Sequence, residues 1–260
     1  MNIAIIGGGN LGQSIAQGLL KYNVDAKNIT VTRQRIELLA GLKQQGVQIC
    51  TDNHKATQQA RVIIIAVKPY KVAEILKQLN NDITADKILI SVVSDFSISQ
   101  IEQHLKHSPT IVRAMPNTAT SVNESITCLA SNNASDEDLK IATTIFKSLG
   151  QTIEINEPLM DAATVLGACG IAYVLRFIRG MIQGGIEIGF DAQTATHIAT
   201  QTVKGASELL LQKGNHPEAE IDKVTTPKGC TIAGLNEMEH QGFSSALIKG
   251  IKTSFDSISN

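Results

Sequence analysis

The 260-residue chain has little net charge, few cysteines and no histidine pattern typical of a metal site. Its 23 basic and 24 acidic residues nearly cancel, so we expect neither a nucleic-acid partner nor binding to an acidic membrane surface. The four cysteines are scattered without a C-x-x-C motif, and the six histidines show no ligand spacing. This pattern predicts reduced thiols in a cytoplasmic protein that holds no metal.

The apolar segments predict no membrane helix and no targeting segment. Residues 162–175 end at Arg176, short of the about 18 apolar residues that a membrane-spanning helix requires. No basic and apolar leader precedes the first predicted strand, which starts at residue 2. A cytoplasmic location is therefore expected.

A glycine motif opens the chain. The apolar residues 2–6 run directly into G-x-G-x-x-G at residues 7–12, and the residues that follow are apolar at helical spacing. In such a strand–turn–helix context Gly7 allows a tight turn, Gly9 lets the backbone approach a pyrophosphate, and Gly12 lets the helix pack close to the strand. The motif predicts a dinucleotide site; the alternative is a tight turn with no ligand.

Strands and helices alternate through the first 155 residues, which predicts a mostly parallel sheet covered on both faces. After Pro158 the strand signals stop. We therefore predict an α/β protein in which residues 1–157 form a Rossmann-type dinucleotide-binding domain. Residues 158–260 form an all-helical domain for substrate binding and dimerisation.

Residues 159–190 are apolar nearly all round, which predicts a buried helix. Such a helix must be covered, either by another subunit or by the rest of its own bundle. Asp191 and Gly214 predict the start and end of a second helix over residues 192–213.

The cofactor preference is predicted from the end of the second strand. NAD enzymes of this fold place a carboxylate about 20 residues past the glycines. Here Arg33 and Arg35 occupy that region, and a guanidinium suits a 2′-phosphate. This favours NADPH, with NADH as a possible second cofactor; the alternative is two solvated arginines that select neither.

Three further motifs resemble one enzyme family. They are A-V-K-P at residues 66–69, R-A-M-P-N-T-A at residues 113–119 and T-P-K-G-C-T at residues 226–231. Together with the opening motif, in this order, they resemble pyrroline-5-carboxylate reductase over essentially the whole chain. That resemblance implies reduction of the cyclic imine 1-pyrroline-5-carboxylate to L-proline, a step of proline biosynthesis, with NAD(P)H.

The resemblance also implies the site residues. Cofactor contacts fall on Gly7, Gly9, Asn10, Leu11, Gly12, Arg33, Arg35, Asn53, Ala66, Lys68, Pro69, Met115, Pro116 and Asn117. Substrate contacts fall on Thr226, Lys228, Gly229, Cys230 and Thr231. The Thr231 hydroxyl would bond to the ring nitrogen and is the candidate catalytic group; alternatively it is an ordinary helix N-cap. The family also implies a homodimer formed through the helical domain, and allows a decamer of five such dimers.

Two aromatic side chains near the predicted substrate region are interpreted as structural. Tyr173 lies in a glycine-rich apolar helix and is expected to be a core residue with a satisfied hydroxyl. His216 precedes a proline and is expected to be a loop residue.

Three departures from the family pattern fall near the expected substrate. Residues 167–171 lack the usual serines and proline, Lys228 replaces a glycine, and Asp95 ends a turn that is usually A-A-G. A lysine at a position that needs positive φ would add local strain. These changes keep two alternatives open: a paralogue that reduces another cyclic imine or a keto acid, and a non-catalytic NADP(H) sensor. Residues 159–190 contain no lysine, which counts against β-hydroxyacid dehydrogenase chemistry.

Overall fold

The computed structural model describes residues 1–132 and 134–258, so positions 133, 259 and 260 of the predicted domains lie outside the described part. The chain forms two compact units, Met1–Cys169 and Gly170–Ser257. Met160 is buried against Met115 and Ala130, so the first turns after residue 157 pack with the sheet unit. The predicted domain boundary near residue 157 stays a prediction.

The first unit is built on one eight-stranded sheet with the order β3-β2-β1-β4-β5-β6-β7-β8. All neighbours are parallel except β6 and β7, which are antiparallel. The predicted α/β class with a Rossmann-type sheet is confirmed. The strands are β1 Ile3–Ile6, β2 Ile29–Thr32, β3 Gln48–Cys50, β4 Val62–Ile65, β5 Ile88–Ser91, β6 Thr110–Met115, β7 Ser125–Ser131 and β8 Gly150–Glu154.

Helices cover both faces of this sheet. They are α1 Asn10–Lys21, α2 Ala40–Gln44, α3 Asn53–Gln58, α4 Val72–Gln78, α5 Ile98–Glu102, α6 Asp136–Lys147 and α7 Met160–Ala163. Successive strand residues point to opposite faces. Ile5 therefore packs with α1, α2 and α6, whereas Ile6 packs with α3, α4 and α5. The order of the strands reverses beside β1, and the crevice that opens there at the carboxyl ends of β1 and β4 is where this architecture binds ligands.

The second unit contains α8 Gly170–Glu187, α9 Ala192–Lys213, α10 Pro217–Val224, α11 Cys230–His240 and α12 Phe243–Ile258. The prediction for α9 is confirmed: Asp191 accepts from the N–H groups of Gln193 and Thr194, and Gly214 ends the helix with φ +65°. A π-helical turn, Thr164–Cys169, precedes α8.

The prediction that the apolar helix is buried is wrong within one chain. Among the described residues of the second unit only Ala195 and Ala199 are buried, while apolar side chains such as Leu175 and Phe177 are exposed. Helices α8 and α9 pack on each other, but the helices of this unit leave most of their apolar side chains uncovered, which contradicts the alternative of a self-contained bundle.

The prediction of no membrane-length helix is also wrong on length and composition. The segment Glu157–Glu187 is long and apolar enough to cross a membrane. The helix continues through Arg176, and its most apolar stretch contains at most two charged residues. Only 11% of that stretch is buried inside the chain. An apolar helix exposed to this degree requires a cover.

The strand β7 supplies a stability prediction. The Thr127 hydroxyl is fully buried and has no hydrogen-bond partner among the described residues. Replacing it with the isosteric valine removes an unsatisfied polar atom, so Thr127→Val should raise the free energy of unfolding by about 1 kcal/mol in urea denaturation.

The matched control is Thr57→Val. The Thr57 hydroxyl is equally buried but donates to the carbonyls of Asn53 and His54, at 3.0 and 3.1 Å. This change should lower the free energy of unfolding by about 1 kcal/mol. Equal losses in both variants would contradict the interpretation.

Candidate active site

A cavity of about 840 Å³ opens at the carboxyl edge of the sheet in the first unit. It lies where β1, β2, β4 and β5 end. Most of the predicted cofactor residues line it: Gly7, Gly9, Asn10, Leu11, Arg33, Arg35, Asn53, Ala66, Lys68 and Pro69. The volume is in the range expected for a pocket that holds a cofactor.

The glycine loop is shaped by two close backbone approaches. Gly7 has φ +109°, and a Cβ there would stand 2.4 Å from the Ala66 carbonyl oxygen. A Cβ on Gly12 would stand 2.1 Å from the Gly7 carbonyl oxygen. Gly12 is buried beneath the loop and does not line the cavity, so its part is to let α1 approach β1. The turn and packing roles expected for Gly7 and Gly12 match this geometry.

Gly9 differs from these two glycines. No described atom lies within 4 Å of a Cβ built on it, and it is the N-cap of α1 with no side-chain cap among the described residues. The first N–H groups of a helix have no carbonyl partner within it, and they carry the positive end of the helix dipole. The open space beside Gly9 and the free N–H groups at the start of α1 together form a cradle that fits a pyrophosphate.

Arg33 braces the glycine loop as well as lining the cavity. Its Nη1 donates to the Gly8 carbonyl at 2.6 Å, and the Gly8 N–H donates to the Thr32 carbonyl at 2.7 Å. Arg33 is half-buried, whereas Arg35 is exposed. The two arginines are therefore not equivalent: one holds the loop, and the other has its guanidinium free for a ligand.

The cavity is lined by four cations and, among the described residues, by no carboxylate. The cations are Arg33, Arg35, Lys68 and Lys71, and none of them has an ion-pair partner in the described chain. Charge of one sign in a concave site attracts a ligand of the opposite sign. The donor set fits a dinucleotide that carries a third phosphate.

Helix α3 positions Asn53 at the cavity. The Asn53 side-chain amide donates to Gln78 Oε1 of α4 at 3.2 Å. The other end of α3 is held by Lys87, whose Nζ donates to the Thr57 carbonyl at 2.6 Å. Burial lowers the pKa of Lys87 below its usual value, because the charged form is desolvated.

The position of Met115, Pro116 and Asn117 beside the nicotinamide stays a prediction. Met115, Pro116 and Asn117 are buried and do not line the cavity. The Asn117 Oδ1 accepts from the Ala119 N–H at 3.0 Å, and its Nδ2 donates to the Gly167 carbonyl at 3.3 Å, inside the π-helical turn. Asn117 thus supports the backbone of the segment that departs from the family pattern.

The turn after β5 also contributes to the lining of the cavity. Val92, Val93 and Ser94 line it, whereas Asp95 is exposed and does not. Asp95 has φ +58°, a left-handed conformation that aspartate tolerates better than most residues. The carboxylate therefore stays outside the lining of the cavity.

The loop before α11 is a tight turn within the helical unit. The Gly229 N–H donates to the Thr226 carbonyl at 2.9 Å, and Lys228 has φ +62°. A proline followed by a residue with positive φ is the pattern of a type II turn. Such a turn normally has glycine directly after the proline, where this chain has Lys228. The strain expected at Lys228 therefore has a geometric basis.

The alternative in which Thr231 is an N-cap is wrong. The N-cap of α11 is Gly229, and Thr231 is the second residue of the helix, with an exposed side chain. Cys230 is also exposed. Both side chains are accessible at the start of an 11-residue helix.

The interpretations of Tyr173 and His216 are confirmed in part. Tyr173 has a satisfied hydroxyl but is only partly buried, so the expected core position is wrong, and His216 lies directly before a helix. The Tyr173 hydroxyl lies 2.6 Å from Ser254 Oγ, so it has a hydrogen-bond partner. His216 caps α10, because its Nδ1 accepts from the Glu218 N–H at 3.2 Å.

Sequence reasoning missed several residues that line the cavity. They are Thr51, Tyr70, Lys71, Ile75, Val92, Val93 and Ser94. Lys71 and Ile75 could have been predicted from the sequence, because they follow the A-V-K-P motif and are spaced by one helical turn. The others follow strand ends and become cavity residues only once the sheet order is known.

Comparison with known proteins identifies the family. Residues 157–260 match the family model described as pyrroline-5-carboxylate reductase dimerisation, and residues 2–95 match the one described as NADP oxidoreductase, coenzyme F420-dependent. Pyrroline-5-carboxylate reductase 2 of Dictyostelium discoideum is 44% identical over 96% of this chain and 89% of its own length. The chain belongs to the pyrroline-5-carboxylate reductase family. The predicted family, enzyme class and nicotinamide cofactor are confirmed: it is an NADP(H)-dependent oxidoreductase.

Other members agree with this assignment. Pyrroline-5-carboxylate reductase 1 of Dictyostelium discoideum is 47% identical over 98% of this chain, which spans 48% of that relative's length. The solved pyrroline-5-carboxylate reductase of Coxiella burnetii matches with a TM-score of 0.93, 27% identity and coverage of 99% of this chain and 97% of that chain. The pyrroline carboxylate reductase of Plasmodium falciparum, solved with NADP bound, matches with a TM-score of 0.89, 26% identity and coverage of 99% and 97%.

Family membership also explains the exposed helices. The helical region of a pyrroline-5-carboxylate reductase is a dimerisation domain, so its apolar faces are covered by association rather than within one chain.

The glycine loop yields a prediction that separates folding from cofactor binding. Gly9→Ala places a methyl group in open space, so the variant should fold with nearly unchanged stability. The same methyl group enters the cradle for the pyrophosphate, so the dissociation constant for NADPH, measured by fluorescence titration, should rise at least about tenfold, as for the loss of one charge-assisted hydrogen bond.

Gly12→Ala is the contrasting variant. Its Cβ meets the backbone of Gly7, so the main effect should be a lower midpoint of thermal unfolding. If Gly9→Ala binds NADPH as tightly as the wild type, the cradle has been placed wrongly.

Proposed function

We propose that this chain catalyses the NADPH-dependent reduction of 1-pyrroline-5-carboxylate to L-proline in the cytoplasm. The observation that carries the proposal is its near full-length similarity to relatives that bear the name of that activity. The cation-lined cavity supports it, because a site with four positive side chains and no lining carboxylate suits NADPH.

The proposed cofactor site is the cavity of the sheet unit. The N–H groups at the start of α1 hold the pyrophosphate, Arg35 binds the 2′-phosphate, and Arg33 contributes while bracing Gly8. Asn53 contacts the adenosine. Ala66, Lys68 and Pro69 line the central ribose and phosphate, and Met115, Pro116 and Asn117 are assigned beside the nicotinamide by the family resemblance. When bound, NADPH supplies the hydride that adds to the imine carbon.

The substrate carboxylate is assigned to the turn before α11. The backbone N–H groups of Cys230 and Thr231 stand at a helix N-terminus, where an anion is favoured, while Gly229 shapes the turn through its own bond to the Thr226 carbonyl. Lys228 adds a cation beside them and is exposed. In this proposal the turn binds the negative carboxylate of the substrate, and the substrate ring is oriented by other contacts.

The proposed chemistry needs little acid–base machinery. A pyrroline imine is basic enough to carry a proton near neutral pH, and protonation makes its carbon electrophilic. The Thr231 hydroxyl, accessible on the first turn of α11, donates to or accepts from the ring nitrogen and fixes its orientation. The work of the protein is to place the substrate and exclude water.

The proposed assembly is a homodimer formed by the helical domain, with a decamer of five dimers as the larger arrangement. The exposed apolar side chains of α8 to α12 support it, because burying them gives a strong driving force for association.

The test is oxidation of NADPH at 340 nm by purified protein. Turnover with 1-pyrroline-5-carboxylate that exceeds turnover with the six-membered imine would support the proposal. Turnover with the six-membered imine alone would favour the paralogue with another substrate. No turnover of either imine while NADPH still binds would favour the sensor.

Lys228 gives the sharper prediction on substrate binding. Lys228→Gly should relieve a left-handed strain of about 1–2 kcal/mol, less about 0.5–1 kcal/mol for the added freedom of glycine when unfolded. The variant should therefore be at least as stable as the wild type. Loss of the cation should nevertheless raise KM for the imine about fivefold to tenfold, with KM for NADPH unchanged.

The control is Lys228→Arg, which keeps the charge and should keep a KM for the imine near that of the wild type. An unchanged KM in Lys228→Gly would show that the lysine is neutral drift.

A further inference from the structure

The cofactor cavity has a wall that the family motifs do not include. Lys71 follows the A-V-K-P motif and stands in the turn Pro69–Lys71, directly before α4. Its side chain is exposed, lines the cavity and has no ion-pair partner among the described residues. A lysine on the wall of an anion site with no described ion-pair partner is available to bind a negative group of the ligand.

The position of this wall is set by two faces of α4. Val72, Leu76 and Leu79 are buried against the sheet. Lys71 and Ile75, spaced by one helical turn, line the cavity instead.

One turn further along this face of α4 is Gln78, which does not line the cavity but whose Oε1 accepts from the side chain of the lining residue Asn53 at 3.2 Å. This face of α4 is therefore joined to the start of α3, the element after β3. We assign the end of the cavity beside Asn53 to the adenosine. The arginine loop after β2 lies at this end too, because the Arg33 N–H donates to the carbonyl of Cys50, the last residue of β3, at 3.1 Å.

Two elements thus bring unpaired cations to one end of the cavity. Arg35 comes from the loop after β2, and Lys71 comes from the start of α4. Arg33 is engaged by the Gly8 carbonyl, so a phosphate dianion bound mainly by Arg35 retains negative charge that a further cation neutralises. Ile75 supplies an apolar surface beside them, which suits the face of an adenine ring.

We infer that Lys71 is a further ligand of the phosphate on the adenosine ribose, added to the arginines of the loop after β2, and that Lys71 is therefore a determinant of NADPH over NADH selectivity. The inference rests on the proposed use of NADPH and adds to it a residue on a different element.

The experiment compares Lys71→Gln with Lys77→Gln. Lys77 is an exposed lysine on the same helix that does not line the cavity, so it controls for the general loss of one positive charge. The probes are adenosine 2′,5′-bisphosphate and adenosine 5′-monophosphate, which differ by the 2′-phosphate, and binding is measured by isothermal titration calorimetry at two salt concentrations.

We expect Lys71→Gln to weaken the bisphosphate about tenfold and the monophosphate less than twofold, which corresponds to the loss of one charge-assisted contact. The salt dependence of bisphosphate binding should fall in this variant. Lys77→Gln should bind both probes as the wild type does.

Equal weakening of both probes by Lys71→Gln, or no weakening of either, would overturn the inference. The result is independent of the imine, because the probes carry no nicotinamide. A wild type that reduces 1-pyrroline-5-carboxylate with NADPH while Lys71→Gln binds the bisphosphate normally would refute the inference and leave the proposed function intact. If Lys71→Gln weakens only the bisphosphate and the wild type reduces no imine, the inference is supported and the proposed function is refuted.

Discussion

The site depends on how closely α1 approaches the end of β1. A side chain at Gly12 would stand 2.1 Å from the Gly7 carbonyl oxygen, so only a residue without a Cβ lets this helix start where it does. Because α1 starts there, its free N–H groups lie at the carboxyl edge of the sheet, beside the ends of β2 and β4. In the proposed cofactor site the backbone thus holds the pyrophosphate, and side chains tune which phosphate compound is preferred.

That tuning is electrostatic and comes from elements far apart in sequence. Arg33 and Arg35 follow β2, while Lys68 and Lys71 follow β4, and the parallel order β2-β1-β4 brings both strand ends to one edge. Arg33 has a second task, because its bond to the Gly8 carbonyl ties the cationic loop to the glycine loop. We therefore expect a change at Arg33 to affect both the proposed binding of the pyrophosphate and the choice of the ribose substituent.

The Rossmann-type unit was largely predictable, because hydrophobic runs of strand length and glycine geometry are local signals. The helix Ala192–Lys213 was also predictable, since both its caps are encoded beside it. The exposure of Leu175 and Phe177 was not, because an apolar helix has the same sequence whether its cover is the same chain or another. The role of Asn117 was hidden for a similar reason: its partner, the Gly167 carbonyl, lies 50 residues away.

The two departures with positive φ show which part of the family pattern this fold retains. Asp95 and Lys228 stand where the family has glycine, and both keep the left-handed backbone, with φ of +58° and +62°. A lysine there costs about 1–2 kcal/mol relative to an unstrained position. The turn conformation is preserved despite that cost, so the path of the backbone before α11 is the constrained feature. Helix-terminal N–H groups beside an added cation are what the proposed carboxylate site requires.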